Sequence, residues 1–137
     1  GAEYALKGEV EGNVLAPTIL TNVTNDMPIA QEEIFGPAVG VIVVDSEEEA
    51  IRVANDSDYG LSGAVHAGTT EHGVEVAKQI ITGMIHVNDQ GVNDEPIVAF
   101  GGEKASGLGR YGGEWAIHEF TTTKWISVQT DPREYPF

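Results

Sequence analysis

The segment Glu32-Glu33-Ile34-Phe35-Gly36-Pro37 sets two carboxylates beside an aromatic ring and a Gly-Pro stop. Two readings are open for it. Groups at the entrance of a strand can hold a ligand, and the same residues also suit a solvated acidic turn with Phe35 plugging the core. Gly107-Leu108-Gly109-Arg110-Tyr111-Gly112 matches the dinucleotide pattern G-x-G-x-x-G letter for letter. In a working fingerprint a strand comes first, and the following helix turns its positive end to a pyrophosphate. Phe100 to Ser106 does not read as a strand, and too few residues follow for a βαβ unit. The run therefore predicts a crowded backbone turn. The histidines at 66, 72, 86 and 118 lack zinc-ligand spacing. His86, inside an apolar run, reads as a satisfied imidazole in or near the core. Asn55 to Gly60 suggests a calcium loop, but His66 stands where the bidentate Glu belongs, so a helix-ending turn is predicted. No metal site follows from these patterns. The chain has no cysteine, which removes disulfides, thiolate metal sites and any thiol nucleophile. Ser62, Ser106 and Ser127 show no His/Asp constellation that would replace one.

The elements that would position these groups alternate. Pro17 to Leu20 reads as a short extended segment, closed by a turn-rich stretch from Thr21 to Pro28. Ala38 to Val44 is β-branched and free of charge, as in a strand buried on both faces. Ser46-Glu47-Glu48-Glu49 has the form of a capping box, with its acids at the positive end of the helix dipole. Leu61 to Ala67 predicts a second strand, and Thr70 to Ile81 a second helix with Gly83 just past its end. Met84 to Asn88 is a third strand. The order strand, helix, strand, helix, strand indicates an α/β architecture, a parallel or mixed sheet with flanking helices. Asp89 to Gly113 is long, Gly-rich and irregular, which points to a functional loop. Glu114 to Glu119 holds one or two helical turns. Thr121 to Thr130 is a last strand that needs an edge, in its own sheet or on another subunit. Asp131 to Phe137 is a tail.

Composition narrows the function classes. The 137 residues carry 22 acidic groups against 7 Lys plus Arg, a formal charge of −15. Such a balance repels phosphate backbones and anionic lipid, so neither nucleic acid nor membrane is an expected partner. No apolar run approaches the roughly 18 residues of a membrane span. No leader is visible after Gly1, which suits a cytoplasmic location. A chain of this length predicts one domain that buries roughly two-thirds of its unfolded surface.

Five segments together resemble the C-terminal part of NAD(P)-dependent aldehyde dehydrogenases. They are Pro17 to Leu20, Gln31 to Pro37, Ala54-Asn55 through Tyr59-Gly60-Leu61, Val87-Asn88, and Phe100-Gly101-Gly102-x-Lys104-x-Ser106-Gly107-x-Gly109-Arg110. The loop Asn88 to Pro96 and the tail Arg133 to Phe137 are similar to the benzaldehyde or vanillin dehydrogenase branch. The resemblance implies that residues 1–120 are a partial catalytic domain and 121–137 an oligomerisation strand with its tail. It implies that Glu33 binds hydroxyls of the nicotinamide ribose and that Phe35 packs near the nicotinamide. A carboxylate accepts two hydroxyl donors well, and an aromatic face suits a flat ring. Asn88, Asp89, Gln90, Val92 and Asn93 would shape the mouth of the substrate tunnel. Lys124 to Gln129 would join a sheet on a neighbouring subunit, making a homo-oligomer.

In that family a cysteine thiolate attacks the aldehyde and a glutamate base activates water, both upstream of the acidic motif together with the dinucleotide domain. This sequence contains no such nucleophile. The expected function is therefore a portion, or truncated product, of an enzyme that oxidises an aldehyde, an aromatic one among the candidates, with NAD or NADP. Alone it would lack activity and tight cofactor binding. The rival expectation is a non-catalytic module for self-association or docking.

Overall fold

The computed structural model describes residues 1–136. Phe137, the last residue of the tail, lies outside the described residues. The chain opens with β1 (Glu3–Leu6), a hairpin of β2 (Val10–Glu11) and β3 (Val14–Leu15), and then β4 (Thr18–Thr21). β4 is the predicted extended segment. The three strands before it are too short and too mixed in polarity to stand out in the sequence. A short helix α1 (Pro28–Gln31) follows, with Pro28 in the first turn, where a missing N–H costs nothing. β5 (Ala38–Gly40) completes a mixed sheet ordered β1-β4-β5, antiparallel on one side of β4 and parallel on the other.

β5 corrects one expectation. The strand ends at Gly40, well before Val44. It is not buried on both faces, since Val39 and Val43 are 53% and 86% exposed. α1 packs on one side with Ile29 against Gly40, joined by Val23 from the turn before it, and no described element covers the other. Val23, at 4% exposure, is one of two buried apolar side chains among the described residues, with Ala77.

α2 (Glu47–Asn55) starts as its sequence predicts. The Ser46 hydroxyl accepts from the Glu49 amide at 3.1 Å, and the Glu49 carboxylate reaches back to the Asp45 amide at 3.0 Å. Glu48 is held below its ordinary pKa by its own amide and the Ser46 hydroxyl. β6 (Tyr59–Gly60) and β7 (Ser62–Val65) follow, then α3 (Thr70–Ala77), β8 (Met84–Val87), β9 (Glu103–Lys104) and α4 (Gly113–Phe120). β7 and β8 pair in parallel with α3 packed on them, which is the predicted strand–helix–strand unit. β6 pairs with β9 as a separate antiparallel pair, so the strands form several small sheets rather than one.

α3 stops short of Ile81. The Gln79 amide bonds Val76 O and the Ile80 amide bonds Ala77 O, a tightened final turn. The cause is tertiary: Asn55 Nδ2 donates to Gln79 O at 2.8 Å, and Asn55 Oδ1 accepts from the Ile81 amide at 2.7 Å. Gly83 is not a left-handed helix cap. It is a point of close backbone approach, because a Cβ there would sit 1.7 Å from Gly101 O. Gly112 precedes α4 with φ +87°, and a Cβ on it would meet Val98 O at 2.1 Å. The G-x-G-x-x-G run is a turn, but crowding is met only at Gly112. Gly107 and Gly109 have room for a Cβ and are required by their positive φ of +145° and +75°. β9 lies just before the run, where no strand is expected from the sequence.

Residues 121–130 form no ladder with any described residue, and Trp125 is 90% exposed. The strand read there is not formed: residues 121–130 add to none of the open edges of the small sheets. The single-domain burial expectation fails as well. The chain exposes 10741 Å². A compact globule of 14.6 kDa exposes about 6,900 Å², and the unfolded chain about 21,000 Å², so only about half of the surface is buried.

Two glycine substitutions separate close approach from open space. Gly83→Ala is expected to cost about 2–3 kcal/mol, since backbone must move to admit the methyl group. Gly68→Ala, with nothing within 4 Å, is expected to stay within about 0.5 kcal/mol of wild type. Urea unfolding of the two variants checks both.

Candidate functional site

The C-terminal end of α2 collects side chains from three other segments. A helix leaves its last carbonyls unpaired and its C-terminus partially negative. Here the Lys104 ammonium donates to Asn55 O at 2.7 Å and Ser57 O at 2.9 Å. Between them, Asp56 O accepts from Asn25 Nδ2 at 3.0 Å and from Gln31 Nε2 at 3.1 Å. Asn25 Nδ2 also donates to the Asp56 carboxylate at 2.8 Å, and Gln31 Nε2 to Asn25 O at 2.6 Å. In the turn leading to α1, the Thr24 hydroxyl donates to Asp26 and holds that carboxyl below its ordinary pKa. Two residues beyond β9, Ser106 accepts from the Gly60 amide at 2.9 Å. Arg110 closes the glycine loop by donating to Gly102 O and Gly109 O and by pairing with Glu103.

Beside this cluster lies a groove of about 750 Å³. Its walls are the apolar faces of α2 and α3, notably Ile51, Ala54, Val76 and Ile80, with β7 as the floor. Glu33 stands on its edge with Ser57 and Ser106. Among the described residues Glu33 makes no hydrogen bond or ion pair, so both its oxygens are available. Phe35 corrects the alternative that it plugs the core: it is 95% exposed, with the covered side of β5 filled by Val23 and Ile29 instead. A free carboxylate and an uncovered aromatic ring two residues apart fit a diol and a flat heterocycle, the chemistry of a nicotinamide riboside. These residues would hold that part of a dinucleotide.

The loop proposed to shape a tunnel is elsewhere. Asn88 has φ +57° and accepts from the Ala67 amide at 2.8 Å, closing the ends of β7 and β8. Asp89 accepts from the Gln90 amide at 2.8 Å, and Val92 and Asn93 are exposed. Asn88, Asp89, Gln90, Val92 and Asn93 line no part of the groove, so the chain does not bring them together with Glu33. His86 is also corrected. Its Nε2 is buried without a partner, because Ala64, opposite it in the ladder, has no polar side chain to offer. Among the described residues no three His, Asp or Glu side chains gather closely enough to hold a metal ion. Sequence reasoning quoted Asn55, Lys104 and Ser106 as motif letters and missed their work; the signal was two basic residues inside a glycine-rich loop.

Comparison with known proteins bears on this geometry. The model of the "Aldehyde dehydrogenase family" matches residues 1–126. The benzaldehyde dehydrogenase YfmT of Bacillus subtilis is 56% identical over 137 residues, all of this chain and 28% of that protein. The vanillin dehydrogenase of Corynebacterium glutamicum is 50% identical over 129 residues, 94% of this chain and 27% of that protein. Among solved structures, a salicylaldehyde dehydrogenase from Pseudomonas putida G7 complexed with salicylaldehyde superposes with a TM-score of 0.90 at 41% identity, covering 100% of this chain and 28% of that one. An aldehyde dehydrogenase of Mycobacterium tuberculosis complexed with NAD+ gives 0.83 at 41% identity, covering 89% and 26%. The chain spans 28% of the length of the first curated relative it matches.

Lys104→Met keeps the aliphatic stem and removes both charge-assisted bonds. The expected loss of stability is about 2–3 kcal/mol. Chemical unfolding measures it, and a loss below about 0.5 kcal/mol would count against the cluster as the fold's main tie.

Proposed function

The chain belongs to the aldehyde dehydrogenase family, and from that premise we propose that it forms the C-terminal part of a cytoplasmic enzyme oxidising an aromatic aldehyde to its carboxylic acid with NAD or NADP. The observation that carries the reading is Glu33, a carboxylate with no partner of its own beside an uncovered Phe35. Relatives named for benzaldehyde, vanillin and salicylaldehyde support the aromatic substrate class.

Within this reading the division of labour is sharp. Glu33 accepts two ribose hydroxyls and Phe35 offers its face to the nicotinamide ring. The bound dinucleotide supplies the hydride acceptor. The loop from Asn88 to Asn93 borders the aldehyde's approach. The attacking nucleophile and the base that activates water are not among these 137 residues, which contain no cysteine. Residues 1–120 then act as part of a catalytic domain and 121–137 as an assembly segment.

A second reading, self-association or docking onto fuller subunits through Lys124 to Gln129, has separate support. The segment from 121 to 130 is exposed and unladdered, with Trp125, Ile126 and Val128 all presented to solvent. Extended apolar segments of this kind add to open sheet edges.

The isolated 137-residue chain is expected to give no aldehyde-dependent reduction of NAD+ or NADP+; measurable turnover by pure chain would overturn the reading. Within a full-length enzyme carrying these residues, Glu33→Gln is expected to weaken cofactor binding about tenfold, as the loss of charge-assisted acceptance predicts. Calorimetric titration with NAD+ checks this. For the second reading, light scattering of the isolated chain should show mass rising with concentration, and Trp125→Ser should reduce it.

A further inference from the structure

We propose that Gln31 is a positioning residue for Glu33, fixing the direction in which the carboxylate is presented by tying the end of α1 to the end of α2. The inference rests on the reading of Glu33 as a cofactor ligand. Its basis is the distribution of anchors along the chain. Residues 32–37 are all exposed, and the bonds within the stretch are local: the Glu32 amide to Pro28 O and the Gly36 amide to Ile34 O. On the far side the first tertiary bond is Pro37 O accepting from the Thr18 amide at 2.8 Å. On the near side the last tertiary anchor before Glu33 is the Gln31 side chain. Its amide nitrogen donates to Asn25 O at 2.6 Å and to Asp56 O at 3.1 Å. Glu32 between them is extended, with φ −103° and ψ 144°. Glu33 is therefore carried on a short span hung from Gln31 at one end and Pro37 at the other.

The anchor itself is stiff. Asp56 O also accepts from Asn25 Nδ2, and the carbonyls on either side of it are held by Lys104. A half-buried amide that reaches two carbonyls on different segments fixes an orientation that a single bond would leave free. A ligand group held by packed neighbours, while its own oxygens stay unbonded, is preorganised for an incoming diol. Without Gln31 the Glu32 amide would still be held by Pro28 O, but the end of α1 would lose its tie to α2, and Glu33 would swing with it over a wider arc before finding the hydroxyls.

The test is a double-mutant cycle in a full-length enzyme carrying these residues, read as the Kd of NAD+ by isothermal titration calorimetry. Gln31→Met keeps the side-chain bulk and removes the donor. It is expected to raise Kd about fivefold in the wild-type background, the scale of one net hydrogen bond, and to leave it unchanged in the Glu33→Gln background. Gln31→Lys, whose ammonium can reach the same carbonyls, is expected to restore Kd to within about twofold of wild type. An equal weakening in both backgrounds would mean general loosening and overturn the proposal, as would no weakening in either. If Glu33→Gln alone leaves Kd unchanged, the ligand reading of Glu33 fails and the positioning role falls with it. Should Gln31→Met yield no soluble enzyme, Gln31→Ser, too short to reach Asp56, goes through the same cycle with the same expected outcomes.

Discussion

The carbonyls of Asn55, Asp56 and Ser57 are the point on which the rest of the structure depends. Every helix must dispose of the acceptors at its C-terminal end, and most do so with water or a glycine turn. α2 instead gives them to Lys104 at the end of β9 and to Asn25 and Gln31 in the turn and short helix that precede α2. The Asn55 side chain adds a fourth segment by capturing the last turn of α3. With several small sheets and only two buried apolar side chains among the described residues, apolar packing alone does not join these pieces. A cationic donor at a negative helix end is stronger than a neutral hydrogen bond and specifies direction, which dispersed contacts cannot.

The exposed area explains why polar ties carry so much. The fold leaves several thousand Å² more surface in water than a compact globule of this mass would, and much of it is apolar. The groove between α2 and α3 is lined like the interior of a core, with Ile51, Ala54, Val76 and Ile80 facing inward. At about 25 cal/mol per Å² that surface is a large unused driving force for association. Apolar patches of this extent mark contact surfaces. The buried, unpaired Nε2 of His86 and Oγ1 of Thr82 fit the same picture of a structure whose polar accounting does not close within the chain.

Much of the local structure was legible in the sequence. The Ser46 cap, the parallel β7–α3–β8 unit and the turn character of Gly107 to Gly112 follow from spacing, because each is decided within a few residues. The errors share a cause. Ala38 to Val44 looks buried on both faces because β-branched runs usually are, yet burial depends on covering elements that no described residue supplies. α3 was read through to Ile81 because its periodicity continues, and Asn55, from another helix, ends it. Residues 121–130 read as a strand from their alternation, but a ladder needs a matched partner and none of the described strands pairs with them. Of the proposed site, Glu33 and Phe35 come from the resemblance of their motif, whereas Gln31 and Lys104 act through contacts that no spacing rule exposes.

The absence of cysteine takes on a specific sense beside this geometry. Within the proposed reading, a chain without a nucleophile still prepares a ligand group, leaving the Glu33 oxygens unbonded while fixing the backbone on both sides of it. Holding a carboxylate free in water gains no stability for the chain, since an exposed acid in a protein of charge −15 only adds repulsion. Within that reading the orientation serves what the carboxylate later binds rather than folding. The same holds for Phe35, whose exposure serves no packing role here. Local rules broken without local compensation mark functional positions. Phe35 breaks one such rule, as Leu108 and Trp125 do, and it stands just past the turn that Asn25 and Gln31 tie to the end of α2.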